Sequence, residues 1–143
     1  MIHGSPGRYA LSALYLAWLA AGAAFAQDPR ATAAQAAARD WLVLTDRGDA
    51  QASWNAASKK FRKTLSLSGW AAALKRERAP LGAMKSRTAV KSGFRKTFPG
   101  IPDGDYAQVA YATRFANRTL GHESLTLERD GDGKWRVVGY SVR

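Results

Sequence analysis

Across residues 78–95, RAPLGAMKSRTAVKSGFR, the hydrophobic period changes from that of a helix to that of a strand. Ala79-Pro80 closes a helix, because the residue before proline disfavours the helical region. From Met84 the pattern has a period of two. Met84, Thr88, Val90, Phe94 and Phe98 are expected to face one way, and Lys85, Arg87, Lys91 and Arg95 the other. That predicts a long, half-buried strand with a basic outer face. Gly93 marks a bulge or bend.

Before this stretch the chain reads as three helices. Asp28-Pro29 suits a helix start, and Ala34, Ala37, Trp41 and Leu44 share one face up to Asp46. Arg47-Gly48 is a stop. Asp49 can cap a second helix that buries Trp54, Ala57 and Phe61. Ser66 or Ser68 can start a third, with Leu67, Trp70, Leu74 and Leu81 inward.

After it come three more strands. Pro102-Asp103-Gly104 sets a turn, and Tyr106 to Asn117 places Val109, Tyr111, Thr113 and Phe115 on one face. The next strand carries Glu123, Leu125 and Leu127 on one side. Asp130-Gly-Asp-Gly133 makes a hairpin into a last strand, Lys134 to Arg143. Short turns imply antiparallel neighbours, and one sheet face needs cover. The expected class is α+β: three N-terminal helices on a four-stranded antiparallel meander.

The amino terminus reads as an export signal. Arg8 gives a positive start, Tyr9 to Ala23 an apolar run, and Ala24-Phe25-Ala26 a small-x-small cleavage pattern. The run falls short of the roughly 20 apolar residues of a spanning helix. No cysteine comes after it to carry a lipid anchor. The expectation is a cleavable signal over residues 1–26 and one domain over 27–143, periplasmic or secreted, with no membrane span after cleavage.

The absence of cysteine excludes disulfides, thiolate metal sites and thiol nucleophiles. Of 22 basic residues only Arg8 lies in the signal, so residues 27–143 carry 21 basic and 11 acidic residues, net +10. Such a charge attracts polyanions. For an exported chain the first candidates are anionic envelope components or a protein partner. Aromatic residues are not interleaved on the basic face, which argues against single-stranded nucleic acid.

Ala-Arg-Asp-Trp-Leu42, Ser53-Trp-Asn-Ala-Ala57, Phe61-Arg62, Trp70, Arg78-Ala-Pro-Leu-Gly82 and Arg87 form a spaced set of motifs. Pro99-Gly-Ile-Pro-Asp-Gly104, Phe115-Ala-Asn117, Glu123 and Trp135-Arg-Val-Val-Gly-Tyr140 complete it. Together they resemble the bacterial domain-of-unknown-function family numbered 4019. That resemblance implies a small exported protein with no established activity, so no catalytic residue is carried over. The element order is also similar to the cone-shaped NTF2-like and cystatin-like architectures, an analogy of fold that does not give function.

Individual residues offer few chemistries. His122 is the single histidine after the signal, too few for a metal site or a convincing triad. Asp130-Gly-Asp132 lacks the remaining ligands of a calcium loop. No cofactor is indicated. Glu123 is the most informative carboxylate, because alternation puts it on the covered face, where it needs a partner. Arg62, Arg78 and Tyr111 are the candidates. They define two readings: an ion pair joining helices to sheet, or a pocket in which Glu123 and Tyr111 act on a small molecule. Trp41 packs the core or joins a ligand cage in that pocket. Lys85, Arg87, Lys91 and Arg95 are the candidates for an anion-binding face. A sheet with an uncovered face is also free to form a homodimer.

Overall fold

Alanine-rich sequence makes α1, Pro29–Asp46, which Gly48 ends in the left-handed region at φ 69°. In the computed structural model, which describes residues 29–143, its buried stripe runs through Ala34, Ala38, Trp41, Leu42 and Thr45. The expected Ala37 and Leu44 lie at its margin, half-buried. Small apolar residues nearly encircle this helix, so spacing alone does not select the stripe. The export signal and the Asp28 cap lie outside the described residues. Ala33–Arg143 forms one compact unit.

The expected second helix is two. Asp49 caps α2, Ala50–Ala56, by accepting from the Ala52 N–H. Ala57 is extended, and Ser58 caps a new helix, α3, Lys59–Thr64, by accepting from the Phe61 N–H. The break has a use: the Ser58 N–H, released from the helix, donates to the Val137 carbonyl at 2.8 Å and ties the helical layer to the sheet. Ser66 then caps α4, Leu67–Arg78, which runs into a 3₁₀ turn, Ala79–Leu81. There are thus four α-helices among the described residues rather than three.

The chain leaves this turn through Gly82, at φ 74° and ψ −167°, a region essentially restricted to glycine. A Cβ there would also lie 3.0 Å from Asn117 Nδ2. The close approach lets Ala116 N–H donate to the Ala83 carbonyl and Asn117 N–H to that of Leu81, both at 2.8 Å. The turn at residues 116–117 is thereby pinned to the end of α4.

Four strands come next: β1 Met84–Arg95, β2 Tyr106–Phe115, β3 Arg118–Arg129 and β4 Trp135–Val142. They form one antiparallel sheet in the order β1-β2-β3-β4, the expected meander. Val109, Tyr111, Leu125, Leu127 and Val137 meet Trp41, Leu42, Phe61, Trp70 and Leu74 of the helices in a single core. Among the described residues no helix is long and apolar enough to cross a membrane.

The phase of β1 differs from simple alternation. Its pairing with β2 shifts register between Met84 and Ser86 and again between Ala89 and Lys91. Each bulge inserts a residue and exchanges the faces of the residues after it. Arg87 therefore stands opposite Thr113, on the core side, while Lys91 stands opposite Ala110, on the outer side. Thr88 and Val90, expected inward, are exposed, Val90 by 60%. Arg87 does not belong to the basic outer face. Lys85, Lys91 and Arg95 remain exposed.

Candidate functional site

The inward turn of Arg87 creates the most polar part of the interior. Its Nε donates to Glu123 Oε1 at 2.7 Å, and its two Nη atoms donate to both oxygens of Asp46 at 2.8 Å. One guanidinium thus bridges β3 to the last residue of α1. Arg78, at the end of α4, supplies a second donor to Asp46, Nη2 to Oδ1 at 2.8 Å. Its Nη1 reaches Thr45 Oγ1 at 3.3 Å and the Tyr140 hydroxyl at 3.4 Å, and lies 4.0 Å from Glu123 Oε2. The guanidinium sits 5.0 Å from the centre of the Phe115 ring.

Glu123 is closed off. Its side chain has no exposed surface, and it accepts from Arg87, from Thr113 Oγ1 at 2.6 Å and from the Tyr140 hydroxyl at 2.5 Å. Two cations face two carboxylates, so the cluster is neutral as a whole. That is the condition under which buried charges are tolerated. Burial and the neighbouring Glu123 push the Tyr140 hydroxyl well above its ordinary range, so it stays protonated and donates.

The expected partners of Glu123 divide. Arg78 joins the cluster, and Arg87, assigned by alternation to the outer face, is the main one. Arg62 does not: it donates to the carbonyls of Asn55 and Ala57 and lies over the Trp54 ring. Tyr111 pairs with Glu123 across β2 and β3, yet its hydroxyl is buried without a hydrogen-bond partner among the described residues, and burial raises its pKa. Trp41 belongs to the core. Its ring packs on Phe61, Trp70 and Tyr140, and its Nε1 donates to the Ser53 carbonyl.

Asp46, Thr113 and Tyr140 complete the cluster, and sequence reasoning does not single them out. Asp46 carries one usable signal: an acid in the last turn of a helix opposes the helix dipole and calls for a compensating cation. Tyr140 is hidden by a register shift between Thr126 and Leu127, which brings it to the same face as Val137.

Burial alone would raise the Asp46 carboxyl, but hydrogen bonds from Arg87 and Arg78, with their charges, hold it below the usual aspartate value of 3.8. A depressed folded-state pKa contributes stability that is present above that value and is lost as pH falls through and below it. The stability gap between wild type and Asp46→Asn is therefore expected to narrow as pH falls below 3.8. Urea midpoints measured against pH check this, and a gap independent of pH would contradict it.

Outside the cluster, a cleft of about 480 Å³ opens where α1 ends beside α4, with Asp46 and Arg78 in its wall. On the opposite sheet surface, register places Lys91, Ala110, Ser124 and Ser141 in one row. The next row holds Thr88, Ala112, His122 and Arg143, and beyond it Ser86 pairs with Arg114. The Asp130–Gly133 hairpin is a turn in which Arg136 pairs with Asp130 and Asp132. Among the described residues no group of three or more His, Asp or Glu side chains could hold a metal ion.

The chain belongs to the family described as a protein of unknown function (DUF4019), whose profile matches residues 37–140. No curated protein and no solved structure matches it.

Proposed function

We propose that this DUF4019 protein is a non-catalytic, exported binding module that lays the outer face of its sheet on an anionic component of the cell envelope. The export signal read from residues 1–26 supports the location. The carrying observation is where the charges go. Glu123 and Glu128 are the only carboxylates in the four strands, and both are buried and ion-paired, with Arg87 and Lys60 respectively. Lys91, Arg95 and Arg114, with Arg143 at the end of β4, remain exposed around a floor of Ala110, Ala112, Ser124 and Ser141. Apart from His122, which lies between Ala112 and Arg143, the floor is built of short side chains, so a broad anionic surface can approach the cations closely.

Binding is favoured over catalysis at the interior cluster. Glu123 already accepts three hydrogen bonds, and Tyr111 lies beside it without bonding it. A general base needs a lone pair within reach of substrate. Helices covering one face of a single antiparallel sheet also suit a cone of the NTF2-like or cystatin-like kind, which we include in the proposal.

Each Lys or Arg near an anionic membrane surface contributes about 1 kcal/mol. Replacing Lys91, Arg95, Arg114 and Arg143 together by alanine is expected to weaken binding to phosphatidylglycerol-containing vesicles by about 10³-fold. Raising the salt should weaken wild-type binding in the same direction. Sedimentation with vesicles measures both, and neutral phosphatidylcholine vesicles give the baseline. Retention of the quadruple variant at the wild-type level would overturn the proposal.

A further inference from the structure

We infer that the cleft between the end of α1 and α4 is a binding site for a small amphipathic anion, one with a carboxylate or phosphate head and a short apolar tail. This does not rest on the sheet-face proposal, since the cleft lies in the helical layer. Its volume of about 480 Å³ falls within the range of small-molecule pockets. Ala50, Ala71 and Leu74 line part of it, and small side chains on facing helices leave room for a tail.

Charge decides the head group. Asp46 stands in the wall, but Arg78 and Arg87 already occupy both of its oxygens. Arg47 and Lys75 also line the cleft, are exposed, and form no ion pair among the described residues. Two helices, α1 and α4, end here, and each C-terminus contributes roughly half a negative charge. Two free cations outweigh that, so the mouth remains net positive and favours an anion.

The wall is prepared as well as charged. Arg78 is held by Asp46, Thr45 and Tyr140 and stacked near Phe115, with only 10% of its side chain exposed. Its Nε–H is buried and has no hydrogen-bond partner among the described residues. A fixed guanidinium in the wall, next to two free cations and an apolar surface, is what an anionic head with a tail would use. Because the ion-pair cluster locks this wall in place, little ordering cost remains to be met on binding.

Isothermal titration calorimetry of the full chain with octanoate and with octyl phosphate tests the site, and the two probes separate the head groups. At least one should bind, and 1-octanol and acetate, lacking head or tail, should not. Lys75→Ala combined with Arg47→Ala is expected to weaken binding by about tenfold or more. Ala71→Leu, which fills the cleft, should abolish binding with the thermal midpoint kept. The quadruple sheet-face variant should bind as wild type does, which keeps this site distinct from the sheet surface. Failure of both probes to bind, equal binding of 1-octanol, or binding indifferent to both cleft variants would overturn the inference.

Discussion

Arg87→Leu is expected to cost about 3–5 kcal/mol of folding stability, the range for removing one partner of a buried ion pair. The cost comes from what is left behind more than from the bonds lost. Glu123 would keep the donors Thr113 and Tyr140 but lose the cation that balances its charge, with its side chain wholly out of reach of water. Asp46 would lose two of its three donors. Arg87→Lys should fall between, because an ammonium supplies charge but cannot span two carboxylates with a rigid fork. Lys91→Leu, four residues along the same strand, is the control. It is exposed, and surface substitutions of that kind usually change stability by less than about 0.5 kcal/mol. Urea unfolding of the three variants separates the cases. Equal midpoints for Arg87→Leu and Lys91→Leu would mean that both side chains face water.

That pair of lysine and arginine also shows where the sequence stops being legible. The period of two correctly announces β1, and turn chemistry correctly joins four strands into a meander. Glu123 is correctly placed on the covered face, because β3 alternates without a break from Glu123 to Leu127, the extra residue of the nearby register shift being Val138 of β4. In β1, however, two register shifts reverse the phase, and strict alternation sends Arg87 to the wrong side. Bulges leave little trace in the side-chain pattern unless a glycine marks them, and the shifts here fall near Lys85 and Val90 rather than at Gly93. In the helical region Ser58 is the cap that spacing conceals. A serine within an apparently continuous amphipathic run ends one helix and begins the next. The cleft has no signature in the chain, since it depends on how the end of α1 sits beside α4.

The motif residues acquire a common explanation from their positions. Arg78, Gly82, Arg87, Phe115, Asn117, Glu123 and Tyr140 are far apart in the chain, yet all serve one junction. Gly82 and Asn117 fasten the β2–β3 hairpin to the end of α4, and Phe115 carries the Arg78 guanidinium. Arg78 and Arg87 then fasten α1 through Asp46, while Glu123 and Tyr140 hold the sheet side. The polar interior is therefore a joint between layers, and the surfaces available to a ligand are those that the joint positions.

Trp41→Ala is expected to cost a similar amount, about 3–5 kcal/mol, for an apolar reason. The indole is 3% exposed and contacts three other rings, Phe61, Trp70 and Tyr140, at centroid distances of 6.1, 5.6 and 5.3 Å. Two of those rings are themselves held by hydrogen bonds, which limits collapse into the space. Trp70 donates to Ser53 Oγ, and Tyr140 donates to Glu123. Trp41→Phe isolates the polar part of the loss. It removes the 2.8 Å bond to the Ser53 carbonyl, but that carbonyl still accepts from the Ala57 N–H, so the cost of the missing bond should be only about 1 kcal/mol. Trp54→Ala should cost less than Trp41→Ala, since Trp54 is half-buried at the edge of the helical layer. Chemical denaturation of the three variants gives the order directly. If Trp54→Ala proved the most damaging, the centre of the core would lie between α2 and α3 rather than where α1 meets the sheet. Because Tyr140 joins the aromatic cluster to the ion-pair cluster, Trp41→Ala should also weaken the effect of a second change at Arg87. The combined loss is expected to fall short of the sum of the two single losses, as for residues that share a neighbour. Strict additivity would show the aromatic and charged halves of the interior to be independent.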